Sequence, residues 1–296
     1  MSQESLPRIS IITPSYNRAH YLERTIQSII EQNYPNLEYI IIDGGSTDGT
    51  VDVIKQYEQY ITDWVSEPDE GMYHAIQKGF ERSTGEIMGW LNSDDMYFDW
   101  TFATISKMFN LFPQVEWLTT NQYVMVDEHD APLTTYQVAG ISSEGILRGE
   151  HLPIAQQAVK FDYVMQESTF WRRSLWEKSG ASLDLSLKYA GDAELWLRFA
   201  QHAQLHEVSI PLAKFRKHPD QITSTIMATY EAEVEQLLSR YVHPYHPMMA
   251  WLRKTASKHT PFRIRGLAVR LGLLHRSYRI NYNMYSQQWE IKPRYY

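Results

Sequence analysis

Two adjacent carboxylates, Asp94 and Asp95, close the stretch Gly85-Glu-Ile-Met-Gly-Trp-Leu-Asn-Ser-Asp-Asp95 and follow directly on Asn92 and Ser93. Four hard oxygen donors therefore come in a row at the end of a short apolar run. Neighbouring carboxylates repel, and a cation placed between them and another anion relieves the repulsion. A divalent metal that holds a phosphate is the chemistry such a group suits. Taken alone, the same residue types are equally at home as caps of a following helix. Further polar groups stand at Pro14-Ser-Tyr-Asn17, Asp43-Gly-Gly-Ser-Thr-Asp-Gly-Thr50 and Asp69-Glu-Gly71, with Asp192 ahead of an apolar helical stretch and His218 in a polar segment. An aspartate at a helix start is stabilising by itself, so Asp192 has a structural reading beside a chemical one.

The elements that must position these groups follow from apolar periodicity. Arg8 to Thr13, Leu37 to Ile42, Ile61 to Glu67 and Glu86 to Leu91 read as short buried strands. Between them, Arg18 to Gln32, Val51 to Tyr60 and the Met72, Ile76, Phe80 stripe read as helices, and Phe98 to Phe112 as another. Strand and helix alternate with short connections, the pattern of a parallel sheet with right-handed crossovers. Ligands of such sheets sit outside the carboxyl ends of the strands. Pro14 to Asn17, Asp43 and Asp94-Asp95 are all expected on that edge, which makes capping a weaker account of the three together.

Val115 to Val126 reads as a strand, 127 to 160 as a loop-rich excursion, Gln166 to Arg172 as a strand and Leu175 to Ser179 as a short helix. Tyr189 to Ala203 is a helix with Ala193, Trp196, Leu197 and Ala200 inward, and Leu205 to Phe215 a last strand. After residue 224 the pattern turns to helices, at Thr225 to Val242, Tyr245 to Lys258 and Pro261 to Leu274. The expected organisation is a 1–224 domain, with halves at about 1–112 and 113–224, and a basic helical extension over 225–296.

Cysteine is absent, so any metal must use oxygen or imidazole ligands. The start of the chain has no basic and apolar leader pattern, and no apolar run reaches the ~18 residues of a membrane span, so a cytoplasmic protein is expected. The net charge of −7 conceals an asymmetry, since Trp251 to Tyr296 carries ten Lys or Arg against one acidic residue, Glu290. Arg263, Arg265, Arg270 and Arg276 alternate with Ile264, Leu267, Ala268, Val269, Leu271 and Leu273, which describes a basic amphipathic helix. An anionic membrane surface, the acidic remainder of the body or a second copy of the chain are the partners it suits. The acidic body and the lack of a recognised motif argue against nucleic acid.

With these residues in view, the chain resembles the family 2 inverting glycosyltransferases of GT-A type, over about Arg8 to Ser224. The resemblance rests on Ile-Ile-Thr-Pro-Ser-Tyr-Asn17, Ile-Ile-Asp-Gly-Gly-Ser-Thr-Asp-Gly-Thr50, Glu-Pro-Asp-Glu-Gly-Met-Tyr-His-Ala-Ile-Gln-Lys-Gly79, Leu-Asn-Ser-Asp-Asp95 and Gly-Asp-Ala-Glu-Leu-Trp-Leu-Arg198. It implies an α/β, Rossmann-like, mostly parallel sheet flanked by helices, and transfer of a sugar from a nucleotide-diphospho-sugar, with UDP the expected nucleotide. The acceptor would be a glycan or a lipid-linked saccharide, as in polysaccharide biosynthesis. The resemblance assigns Thr13, Pro14, Ser15, Tyr16, Asn17, Asp43, Gly44, Asp69, Lys78, Asn92, Ser93 and Asp94 to the donor, with Tyr16 against the base and Asp43 accepting from a uracil ring N–H. It assigns Asp95 and His218 to Mn²⁺ or Mg²⁺, Asp192 to the catalytic base, and Gln166, Glu167 and Trp171 to the acceptor. Glu194, two residues on, points about 200° away on a helix. Lys78 also reads as a solvated helix lysine, and Trp196 as core. The family often has a carboxylate where Asn92 stands, so a non-catalytic nucleotide-sugar or glycan-binding protein on the same fold is the second reading.

Overall fold

A computed structural model of the chain describes residues 6–152, 162–219, 221, 227–241, 248, 251 and 264–296. The run of β-branched residues at the start forms β1 (Ile9–Ser15), buried at every position, and the first amphipathic stretch forms α1 (Ala19–Ile30). β2 (Leu37–Asp43), α2 (Thr50–Gln56), β3 (Asp63–Ser66), α3 (Met72–Arg82) and β4 (Ile87–Trp90) complete the alternation expected from periodicity. The next elements are β5 (Met96–Tyr97), α4 (Thr101–Leu111), β6 (Trp117–Thr120), β7 (Gln122–Val126), β8 (Pro132–Gln137) and α5 (Ser143–Leu147). They lead to β9 (Phe170–Arg172), α6 (Arg173–Lys178), α7 (Gly191–His202), β10 (Leu205–Val208), β11 (Ala213–Arg216), α8 (Met227–Tyr241), β12 (Arg276–Asn283) and β13 (Gln288–Tyr295).

A nine-stranded sheet runs β13-β12-β10-β6-β9-β4-β1-β2-β3. It is parallel except where β9 lies between β4 and β6 and where β13 returns beside β12. One apolar cluster packs α3, α7 and α8 on one face through Ile76, Trp196, Leu197, Val234 and Leu237. The other packs α1 and α4 on the opposite face through Leu22, Ile26, Phe102 and Ile105.

Three features depart from the sequence reading. The expected strand Val115 to Val126 is two, because Thr120 Oγ1 donates to the Ile210 carbonyl at 2.6 Å and accepts from Gln122 N at 2.9 Å, turning the chain at Asn121. The expected strand Leu205 to Phe215 likewise divides into β10 and β11. The second halves of both, with β5 and β8, build a separate four-stranded sheet, β5-β11-β7-β8.

The third departure is the C-terminal segment, which is not a helical appendage. α8 is a helix as expected, but its Val234 and Leu237 lie in the main core. Beyond a short helix, Arg265–Arg270, the chain forms the β12–β13 hairpin, and β12 pairs in parallel with β10. Arg276 therefore sits on a strand. Tyr296 anchors this end through its hydroxyl, which donates to Ser142 Oγ (2.9 Å) and lies within hydrogen-bond distance of His151 Nε2 (2.7 Å). Of the helix expected over Tyr245 to Lys258, all but Met248 and Trp251 lies outside the described residues. Among the described residues no helix is long and apolar enough to cross a membrane.

Candidate active site

Parallel pairing brings the strand ends level. Ser15 lies opposite Asp43, and Asp43 opposite Ser66, while on the other side of β1 Ile12 lies opposite Trp90. The segments 14–17, 43–50, 66–71 and 91–95 consequently leave the sheet at one rim, as the alternating pattern predicts.

Much of the glycine-rich motif is scaffold for that rim. Asp43 is fully buried, and its carboxylate accepts from Gly45 N (3.1 Å), Ser46 N (2.9 Å), Ser46 Oγ (2.5 Å) and Ser66 Oγ (2.6 Å). About four acceptor sites are all a carboxylate has. Three of these bonds fall on Oδ2 and one on Oδ1, and the fully buried group is turned into its own loop, so this structure does not present Asp43 to a uracil N–H as expected. Asn17, held at φ 50, receives Thr47 N at its side-chain oxygen (3.0 Å) and donates its backbone N–H to Ser46 Oγ (2.7 Å). Asp48, which the sequence reading passed over, accepts from Ala19 N (3.1 Å) and Thr50 N (3.0 Å) and so starts both α1 and α2. Thr13 is buried, accepting from the Tyr39 hydroxyl at 3.3 Å, which removes it from the donor pocket. Pro14 and Ser15 are buried at the rim, with Ser15 Oγ unpaired, and Tyr16 is 61% exposed.

Asp94 and Asp95 diverge. Asp95 turns inward and accepts from Arg216 N at 2.9 Å, whereas Asp94 faces His218, Oδ2 to Nε2 3.1 Å, and Arg18 Nε at 3.8 Å. The four-stranded sheet makes this possible, since β11 ends at Arg216 and delivers His218 two residues later. Arg216 is buried, ion-paired to Asp130 at 2.9 Å and lying over Tyr21; no sequence pattern distinguishes it from neighbouring Lys214 and Lys217. Burial pushes the Asp95 carboxyl well above its ordinary range, the charges of Asp94 and Glu167 push it further, and Arg216 opposes them. A cation at the rim would reverse that balance.

The donors present fit a small divalent cation completed by phosphate oxygens rather than a closed protein cage. Asp94 and His218 offer paired donors, and Asn92 Oδ1 and His218 Nδ1 are buried without hydrogen-bond partners. Among the described residues no three His, Cys, Asp or Glu side chains converge as a ligand set. Ser93 is buried, its carbonyl taken by Thr25 Oγ1 at 3.0 Å. Lys78 is bonded to Glu67 at 2.7 Å, the plain helix-lysine reading.

Asp192 opens α7. Tyr73 of α3 packs so closely there that a Cβ on Gly191 would lie 2.8 Å from its ring, which explains glycine at that position. The Tyr73 hydroxyl donates to the Tyr189 carbonyl (2.8 Å), stands 3.3 Å from Asp192 Oδ1 and accepts from Asp192 N (3.2 Å). Burial lifts Asp192 to about 6, against the pull of Ala193 N–H and Tyr73. Glu194 points the other way, buried and paired with Arg198 (2.8 Å) and the Tyr241 hydroxyl (2.6 Å).

Gln166 and Glu167 lie in a tight turn before β9 rather than in a strand, and Gln166 Nε2 donates to the Trp90 carbonyl at 2.6 Å. Its amide thus serves the rim, not an open acceptor face. Glu167 is buried, which raises it to about 7 with help from the charge of Asp192, and it in turn acts on Asp95. This residue links Asp192 electrostatically to the rim. Trp171 is the clearest correction: it is fully buried among Trp90, Trp196 and Phe199, so no sugar reaches it. Trp196 stacks on Trp90 in the same core, as expected.

Residues 10–150 match the family described as Glycosyl transferase family 2, with the rim segments inside the match. Over this stretch, just under half of its length, the chain resembles glycosyltransferase family 2. The chain is 28% identical over 236 residues to an uncharacterized glycosyltransferase of Rickettsia typhi, covering 80% of this chain and 72% of that one. It is 42% identical over 94 residues to the putative teichuronic acid biosynthesis glycosyltransferase TuaG of Bacillus subtilis, 31% of this chain and 37% of that protein. Among solved structures it resembles S. aureus TarS 1–349 in complex with UDP-GlcNAc, with TM-score 0.59, 15% identity and coverage of 89% and 79%. A mannosyltransferase from Pyrobaculum calidifontis in complex with GDP-Man and Mn²⁺ gives TM-score 0.51, 17% identity and coverage of 91% and 86%. At these identities the structures establish the shared GT-A fold alone.

Proposed function

We propose that the chain is a metal-dependent inverting glycosyltransferase that moves a sugar from a UDP-sugar to a hydroxyl of a glycan or lipid-linked saccharide. The observation that carries the reading is the state of Asp192, a carboxylate raised to about 6 and fixed by Tyr73 at the start of α7. At neutral pH it is ionised yet basic enough to take a proton. In the proposed step the acceptor oxygen attacks the anomeric carbon as the bond to the diphosphate breaks on the opposite face, and Asp192 receives the hydroxyl proton. One carboxylate suffices, since no covalent intermediate is formed. Asp94 and His218 would hold Mn²⁺ or Mg²⁺ with the diphosphate, and Asp95 is the buried support behind them. The bound metal supplies Lewis-acid stabilisation of the leaving diphosphate. Arg18, close to Asp94, adds positive charge on the same side. The complexes of TarS with UDP-GlcNAc and of the mannosyltransferase with GDP-Man and Mn²⁺ support a nucleotide-sugar donor.

Calorimetric titration with UDP, with and without Mn²⁺, tests the reading on wild type and Asp94→Ala. Metal-dependent UDP binding that weakens at least about tenfold in the variant is expected, the loss of one charged ligand. Metal-independent binding of equal strength in both proteins would refute the metal assignment. Metal-dependent UDP binding without transfer from any UDP-sugar to any acceptor would favour the non-catalytic reading.

We also propose that the C-terminal arginines hold the protein at an anionic membrane surface where a lipid-linked acceptor resides. Supporting this, Ile264, Leu267 and Leu271 are 51%, 57% and 63% exposed around Arg265 and Arg270.

A further inference from the structure

The turn between β7 and β8 carries two aspartates with different work. Asp127 builds the turn: its Oδ1 accepts from His129 N and Ala131 N, both at 2.9 Å, and its carbonyl accepts from Asp130 N at 3.0 Å. Asp130 stands at φ 66, a left-handed position that glycine fills most easily and that aspartate and asparagine tolerate. Among the described residues its carboxylate serves no bond of the turn and is spent on two arginines. Oδ1 lies 3.0 Å from Arg216 Nε and 2.9 Å from Arg216 Nη2, and Oδ2 lies 2.5 Å from Arg24 Nε on α1.

Arg216 is fully buried, so its charge needs a partner inside the protein, and among the described residues Asp130 is the carboxylate within ion-pair distance. Two paths lead from Arg216 to the rim. Its backbone N–H donates to Asp95 Oδ1 at 2.9 Å. Its guanidinium lies 5.4 Å from the centre of the Tyr21 ring, and the His218 ring lies 4.2 Å from the same ring. Helix α1 joins the two paths, since the hydroxyl of Thr25, next to Arg24, lies 3.0 and 2.8 Å from the carbonyl oxygens of Ser93 and Asp95.

We infer that Asp130 is a positioning residue for the metal-binding pair Asp94 and His218. By holding and neutralising Arg216 it fixes Asp95 behind Asp94 and steadies the Tyr21 ring on which His218 rests. The inference rests on the metal reading of the rim and extends it to a turn that touches neither donor nor metal. An uncompensated guanidinium beside Asp95 would also repel a divalent cation, so lost geometry and added positive charge act in one direction. That role accounts for a carboxylate, rather than glycine, at φ 66.

The readout is the Mn²⁺ concentration that half-saturates calorimetric binding of UDP, which involves no turnover. Asp130→Asn keeps a residue suited to the turn and an oxygen for Arg216 but removes the charge. Its Mn²⁺ requirement is expected to rise about tenfold, the scale of a hydrogen bond to a charged group. UDP affinity at saturating Mn²⁺ should stay within about twofold. Arg216→Met keeps the backbone N–H that reaches Asp95 and fills the buried space without a charge. In that background Asp130→Asn is expected to change the Mn²⁺ requirement by less than about twofold, because no guanidinium is left to hold. An unchanged requirement in Asp130→Asn, or the same rise in both backgrounds, overturns the positioning role and leaves the metal site standing. Should Asp130→Asn alone fail to fold, the comparison of Arg216→Met with the double variant, which lacks both buried charges, still decides: a rise of about tenfold there means that Asp130 acts directly. UDP binding by wild type that needs no metal overturns this inference and the metal assignment together.

Discussion

Asp192 owes its chemistry to its neighbours. Burial disfavours its charge, while the Ala193 N–H and the Tyr73 hydroxyl favour it, and the balance lies at about 6. A base must be ionised to accept a proton, so kcat/KM is expected to fall as the pH drops through about 6 and to be flat above it. Asp192→Asn should lower kcat by about 10²–10⁴-fold with UDP affinity retained, the usual scale for removing a general base. A rate in the variant close to wild type, measured by UDP release in the presence of acceptor, would remove Asp192 from the chemistry. Tyr73→Phe deletes one of the groups that favour the charge and should move the acid limb upward. At this scale the motifs located the rim but misassigned individual groups. Asp43 and Trp171 carry the residue types of a ligand site, yet one is turned into its own loop and the other is sealed in the core.

Helix α7 presents Asp192, and α8 holds α7 in place. Glu233 on α8 accepts backbone N–H groups from Lys188 (2.8 Å), Tyr189 (2.9 Å) and Ala190 (2.9 Å), the three residues that lead into α7. Tyr241 near the end of α8 reaches Glu194 on α7. The segment expected as an appendage therefore positions the proposed base. Glu233→Ala strands three N–H donors and is expected to cost about 2–3 kcal/mol of stability by chemical denaturation. It should also lower kcat while UDP affinity, set at the opposite half of the rim, stays unchanged. An unaltered kcat in a folded variant would show that α8 only supports α7 mechanically. The small four-stranded sheet does for His218 what α8 does for Asp192, because β11 next to β5 brings His218 against Asp94.

Over the whole molecule, the basic C-terminal region is partly core and partly surface. The β12–β13 hairpin closes the main sheet beside β10, so deleting it would bare an interior strand edge and is no clean test of membrane contact. Point substitutions on the exposed helix are. Leu267→Glu with Leu271→Glu replaces apolar anchors by charges beside Arg265 and Arg270, and is expected to weaken sedimentation with phosphatidylserine-containing liposomes about tenfold or more. Nucleotide binding should be unaffected. Equal liposome binding by wild type and the double variant would assign these arginines to another partner.

The strand–helix alternation through Phe112, the rim that gathers residues 14–17, 43 and 94–95, and the core role of Trp196 follow from period and parallel pairing alone. Such features depend on contacts near in sequence or on strand-end geometry that every parallel sheet shares. Tertiary structure decided what depends on partners far along the chain. It divided two long β-rich runs at Asn121 and at Ser209–Leu212, because Thr120 bonds across to Ile210. It turned the last basic residues into a hairpin, because β10 offered an unpaired edge. It also set Asp43 apart from the other rim carboxylates, because Ser46 and Ser66, the latter 23 residues along the chain, both donate to it.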